Sequence, residues 1–209
     1  MADCCEDKAC ALEALRERQS STLKIVLVIN AVMFVVVFAA GLFAGSSAVI
    51  ADSLDNLGDA LTYALGLYAV WRSQRTKGWV AMFKAVLILS AALFVIGQII
   101  YKLLHPTVPV FEAMGVVGVL ALAANATCLG LLWKHRREDV NMSSVWECSR
   151  NDIAANLAVL VAAVLVWAAG SAWPDLLIGA LLALLFVRSA VSVFGDALAS
   201  IRIGVQEAR

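Results

Sequence analysis

Long apolar stretches separated by short polar connections run the whole length of the chain. Six of them, near Leu23–Phe43, Ser47–Trp71, Val80–Leu104, Phe111–Trp133, Ser143–Ala169 and Trp173–Phe194, are long enough to cross a lipid bilayer, whose hydrocarbon core of about 30 Å takes roughly 20 helical residues. None keeps a strand-like alternation over its length, and backbone polar groups in lipid must be satisfied within the segment, so each stretch is expected to be a helix. The first is too long for the core of a secretory leader and has no convincing cleavage site, so it is expected to persist in the mature protein. The pattern predicts an all-α integral membrane protein, a bundle of six transmembrane helices.

The basic residues orient this bundle, because cytoplasmic loops hold the excess of Lys and Arg. Lys8, Arg16, Arg18 and Lys24 precede the first helix, Arg72, Arg75 and Lys77 follow the second, Lys134, Arg136 and Arg137 follow the fourth, and Arg202 and Arg209 follow the sixth. The opposite side has the Gly45–Ser46 link and two short turns, with Lys102 its only nearby cation. Both termini are expected in the cytoplasm. Three parts follow: a cysteine-rich segment with a short helix at 1–22, the transmembrane domain at 23–196, and a short tail at 197–209. A tail of this length is too short to fold alone.

Composition agrees and excludes the soluble classes: 62% of residues are hydrophobic, 15% are charged, and the mean hydropathy is +0.87. A soluble domain of this size carries more charge. The formal net charge of +0 gives no argument for nucleic acid as a partner.

Acids inside the bilayer carry the chemistry, since an Asp at mid-membrane costs about 2.5–3.5 kcal/mol on insertion scales. In the second helix Asp52, Asp55 and Asp59 are spaced by three and four positions, which puts all three within an arc of about 60°. Asn56 falls on the same face. Three such carboxylates cannot all stay ionised without a cation or shared protons. In the fifth helix Cys148 and Asp152 lie one turn apart, with Asn151 beside them. The two helices run antiparallel, so Asp55 is expected nearer Asp152 and Asp59 nearer Cys148. Asp55, Asp59, Cys148 and Asp152 would make a four-coordinate site of the kind zinc prefers, and the thiolate would bias it toward soft or borderline ions. The bland alternative makes Asp152 an ion-pair partner of Arg150 or of another helix's cation, and Cys148 a small buried residue. Against it, no bundle-facing cation is evident in the sequence.

The amino-terminal thiols Cys4, Cys5 and Cys10 stand among acids on the expected reducing side, which disfavours a disulfide. They suit capture of a soft metal, or else do nothing in a disordered terminus. Cys128 reads as packing, and His105 and His135 read as bystanders. Asn30, Gln98 and Asn125 read as interhelical hydrogen-bonding groups, although Asn125 could also reach the site. Trp71, Trp79, Trp133, Trp146 and Trp173 near helix ends suit interfacial anchoring. No histidine or serine stands at a spacing that would make an intramembrane triad, so no enzyme is expected. A proton-coupled multidrug exporter and a membrane metal sensor are the alternative functions. The first calls for a roomy aromatic pocket around its acid.

The run Gly45-Ser46-Ser47-Ala48-Val49-Ile50-Ala51-Asp52-Ser53-Leu54-Asp55-Asn56-Leu57-Gly58-Asp59-Ala60 resembles the second-helix signature of the cation diffusion facilitator family. Ser149-Arg150-Asn151-Asp152, followed by Asn156, resembles its fifth-helix signature. The resemblance implies a homodimer that exchanges cytoplasmic zinc, cadmium or a related divalent ion for protons. It places the family's ligands at Asp55, Asp59, Cys148 and Asp152, with Asp52, Asn56 and Asn151 as possible accessory metal or proton-relay groups. Cysteine at 148 departs from the family's usual His or Asp. The family's C-terminal cytoplasmic domain has no counterpart in these 209 residues, so dimer contacts are expected in the membrane helices. No permanent cofactor is expected; Zn2+ or Cd2+ would be the cargo. Tiny loops and cytoplasmic ends suit a multi-pass protein of a bacterial inner membrane.

Overall fold

The computed structural model describes the backbone of residues 3–69, 74–133 and 140–206, and among these the side chains of 20–64, 67, 78–133, 151–195, 197–199, 201 and 202. The described backbone forms six helices in chain order: α1 (Asp3–Ala44), α2 (Ser47–Ala69), α3 (Gln74–Leu104), α4 (Phe111–Trp133), α5 (Val140–Ala169) and α6 (Trp173–Gln206). They extend the stretches expected from hydropathy mainly at the ends that carry the basic residues. Residues 11–20 continue α1 without a break, and most of the expected tail continues α6. By length and composition, five of the helices can cross a membrane. The remaining one, α2, is as long as α4 but carries three aspartates.

The links on the expected outer side are made by local chemistry. Gly45 stands at φ 59°. Its N–H bonds Leu42 O at 3.2 Å and Ser46 N–H bonds Gly41 O at 3.0 Å, the paired bonds of a Schellman stop, for which glycine is the unstrained residue. Gly170 ends α5 in the same region, at φ 58°, with one bond from its N–H to Val166 O. Pro174 lies in the first turn of α6, where a missing N–H costs nothing.

The core contains Val37, Val49, Val95, Met114, Val159, Val166 and Leu182, drawn from all six helices. Close approach at small residues replaces the hydrophobic drive that lipid cannot supply. A Cβ on Gly41 would stand 3.1 Å from Ile50 N, locking the α1–α2 hairpin, and one on Gly118 would stand 2.7 Å from Leu160 Cδ2 between α4 and α5. In each of the five spans other than α2, only 17% to 33% of the most apolar window is buried inside the chain; the outward-facing Val35, Leu93, Val116, Val164 and Leu184 make an apolar surface suited to lipid. Trp79, Trp133 and Trp173 are exposed near helix ends, as interfacial anchoring requires.

Candidate functional site

A cavity of about 560 Å³ opens between α2, α3, α5 and α6, and polar side chains reach it from each of them. Asp55 and Asp59 reach it from α2, Asn151 and Asp152 from α5, and Lys84 from α3. Among the described residues the rest of its wall is largely Leu, Ala and Ile, with Phe186 the single aromatic. Such a lining is roomy without being an aromatic cage.

The helix geometry accounts for this arrangement. Asp55 and Asp59 are one turn apart on α2, which makes them neighbours on one face. They lie about 12 and 18 Å along the axis from Ser47. Asp152 lies about 18 Å from the other end, at Val140, so the antiparallel α5 brings it to the same level. Its side chain engages both Asp55 and Asp59, where the sequence suggested a closer approach to Asp55. Carboxylates in mutual contact are stable only with protons or a cation among them. Among the described residues no three acidic, thiol or imidazole side chains stand in an arrangement that would hold a metal ion. Tyr63, 3% exposed, donates its hydroxyl to Asp59 Oδ2 at 3.3 Å from one turn further along α2.

The other residues singled out by sequence divide clearly. Asp52 is 2% exposed and does not reach the cavity. Its Oδ1 accepts the Asn156 amide at 2.5 Å, and Asn156 Oδ1 accepts the Asn125 amide at 3.0 Å. A polar chain thus runs from α4 through α5 to α2. Through this chain Asn125 reaches Asp52 rather than the acids of the cavity. Asn56 spends its amide on Asp52 O at 3.0 Å and also lies off the cavity. Asn151 lines it. Cys148 is helical and one turn before Asp152, and Cys4, Cys5 and Cys10 are in the first turns of α1; the side chains of all four lie outside the described residues. Cys128 is buried beside Val26, Tyr63 and Leu132, with Asn30 Nδ2 at 3.9 Å from its sulfur, which agrees with a packing role.

Lys84 corrects the expectation that no cation faces the bundle. It was legible, since an ionisable residue inside a span is by default a functional candidate, but it sits only two turns from Lys77 at the basic end of α3. Tyr63 left no signal beyond its i+4 spacing from Asp59.

Residues 23–201 match the cation efflux transmembrane domain family. The chain is 25% identical over 177 residues to the metal cation efflux system protein CzcD of Cupriavidus metallidurans, across 78% of this chain and 55% of that protein. It is also 25% identical over 188 residues to the zinc transporter ZitB of Yersinia pestis, across 84% of this chain and 60% of that protein. It thus spans a little over half the length of the curated relatives it matches. The family is one of transporters rather than enzymes. With nearly the whole helical bundle matched, the chain belongs to the cation efflux transmembrane domain family.

Proposed function

We propose that this protein moves a divalent metal cation, zinc or cadmium, out of the cytoplasm in exchange for protons, using Asp55, Asp59 and Asp152 as ligands and Cys148 as the fourth. The observation that supports this most is the convergence of Asp55 and Asp59 from α2 with Asp152 from α5 on one cavity between membrane helices. Three carboxylates there, against Lys84 as the single cation among the described lining residues, are poorly matched to a neutral or anionic cargo. They suit either one divalent ion or the protons that replace it, and alternation between those occupants is metal–proton exchange.

The relatives' names, metal cation efflux and zinc transport, agree with that cargo. The thiolate of Cys148, one turn from Asp152, would select soft or borderline ions over magnesium or calcium, which favour oxygen shells. Cys4, Cys5 and Cys10 would raise the local metal concentration at the cytoplasmic entrance. The working unit is a homodimer in a bacterial inner membrane, with both termini cytoplasmic and its contacts on the exposed apolar helix faces. Asn151 is placed to assist the ligands. Asp52 and Asn56 serve the helix contacts rather than the ion. Zinc-dependent uptake into everted membrane vesicles tests the reading: uptake above that of vesicles without the protein is expected, and its absence for zinc, cadmium, cobalt and nickel alike would refute it.

A further inference from the structure

At the expected outer end of the bundle lies a buried charge pair that the proposed site does not use. Lys102, in the last turn of α3, and Asp175, in the first turn of α6, are 6% and 0% exposed, with Nζ and Oδ2 3.3 Å apart. Attraction between two buried charges seldom repays the loss of both hydration shells. The remaining partners of Asp175 give the pair another purpose.

Both carboxylate oxygens of Asp175 point at the first turn of α2. Oδ2 accepts the Ser47 N–H at 2.8 Å and Oδ1 accepts the Ala48 N–H at 3.0 Å. Oδ1 also accepts the Ser46 hydroxyl at 2.5 Å. Ser46 Oγ in turn accepts the Val49 N–H at 3.1 Å, and Ser46 N–H bonds back to Gly41 O at 3.0 Å. The four backbone donors that a helix start leaves without intrahelical partners are therefore all satisfied, two of them by a side chain from another helix. Asp175 caps α2 from outside, with its negative charge at the positive end of the helix dipole. Lys102 balances that charge and also donates to Gly45 O in the link. One turn along α6, Gly179 lets the two backbones meet: a Cβ there would stand 3.1 Å from Ser47 Cβ and 3.3 Å from Ala48 N.

The helix held in this way is the one that carries Asp55 and Asp59. We propose that Asp175, with Lys102 as its counter-charge, is a positioning residue for transport: it fixes the height of α2 against α3 and α6, and so the depth at which Asp55 and Asp59 meet Asp152. This inference rests on the transport reading. A plain ion pair would be indifferent to which helix carries which charge. A cap is not, because a lysine at 175 cannot accept the N–H groups of Ser47 and Ala48.

The test is zinc flux through the reconstituted 209-residue chain, read as KM and Vmax separately and alongside thermal stability in detergent. Asp175→Asn keeps one acceptor oxygen but turns an amide N–H2 toward the second donor. It should raise KM roughly tenfold, the lower end of what losing a supporting partner costs a metal site. Lys102→Arg should keep the wild-type KM, and the exchange Lys102→Asp with Asp175→Lys should fail to restore it. A role in stability alone would lower the unfolding temperature and the active fraction without moving KM. If Asp175→Asn cannot be recovered folded, Ser46→Ala, which removes one partner of Asp175 and the cap on Val49, should raise KM by a smaller factor. Wild-type KM in the recovered variant, or full recovery in the charge exchange, would overturn the positioning role. Wild-type protein without zinc flux would instead refute the transport reading itself.

Discussion

Asn156 of α5 donates its amide to Asp52 of α2 across 2.5 Å, and both groups are almost wholly buried. Asp52 lies close to one turn from Asp55, and Asn156 lies one turn from Asp152. The bond therefore ties the two helices together one turn to the outer side of the site acids.

Replacing Asn156 with Leu keeps the branched shape but leaves the Asp52 carboxylate and the Asn125 amide unpaired. Each orphaned buried group costs about 1–3 kcal/mol, and a chain of this size loses roughly 2–4 °C of unfolding temperature per kcal/mol. Thermal unfolding in detergent should show that drop. An unchanged midpoint would mean that the polar chain from Asn125 to Asp52 does not hold the helices.

Two glycines of α3 should behave oppositely. A Cβ on Gly78 would stand 2.9 Å from Ile201 N and 3.1 Å from Ala197 O, so Gly78→Ala must push α3 and α6 apart at backbone level, an overpacking worth about 1–3 kcal/mol. Gly97 has nothing within 4 Å of that position, and alanine there gains helix propensity. Unfolding midpoints measured side by side should fall for the first and hold or rise for the second. Equal midpoints would contradict the close α3–α6 packing.

Much of this was readable from residue order. Hydropathy located all six helices, because a segment in lipid has little choice but to be one helix, and the i, i+4 pairs on α2 and α5 located the acids. Depth was readable in part, since a fixed rise per residue puts Asp152 at the level of the α2 acids, although it engages Asp59 as well as the expected Asp55. Periodicity could not say which of several acids on one face points into a cavity. Asp52 shares an arc with Asp55 and Asp59, yet α4 and α5 close over it and Asn156 takes its carboxylate. Nor could it pair Lys102 with Asp175, 73 residues apart, because the contact depends on how α3 and α6 dock on the start of α2. Lys84 was overlooked for a related reason: its position near a basic helix end masked its place in the cavity wall.

The role proposed for Cys148 is tested by its replacement with Asp. Exchanging a thiolate for a carboxylate removes the site's only sulfur while keeping an anionic ligand. Competitive uptake should then shift from cadmium toward zinc, with some loss of overall rate. An unchanged cadmium-to-zinc ratio would remove Cys148 from the ligand set.

Deleting residues 2–10, and with them Cys4, Cys5 and Cys10, should leave transport at saturating metal nearly intact while slowing it when free metal is scarce. That is the signature of a segment that raises local concentration. Transport curves against buffered free zinc would show it. An equal loss at every concentration would instead give the segment a part in the transport cycle.

If Asp59 and Asp152 hold the metal and exchange it for protons, the exchange is visible as zinc flux into proteoliposomes under an imposed pH gradient, with a lumenal pH indicator, for wild type, Asp59→Ala and Asp152→Ala. Wild type should move zinc one way and protons the other, and the flux should collapse when the gradient is removed. Both variants should reconstitute normally and lose transport of both. Wild-type zinc flux in either correctly inserted variant would contradict the proposed site, and zinc flux indifferent to the gradient would contradict the exchange.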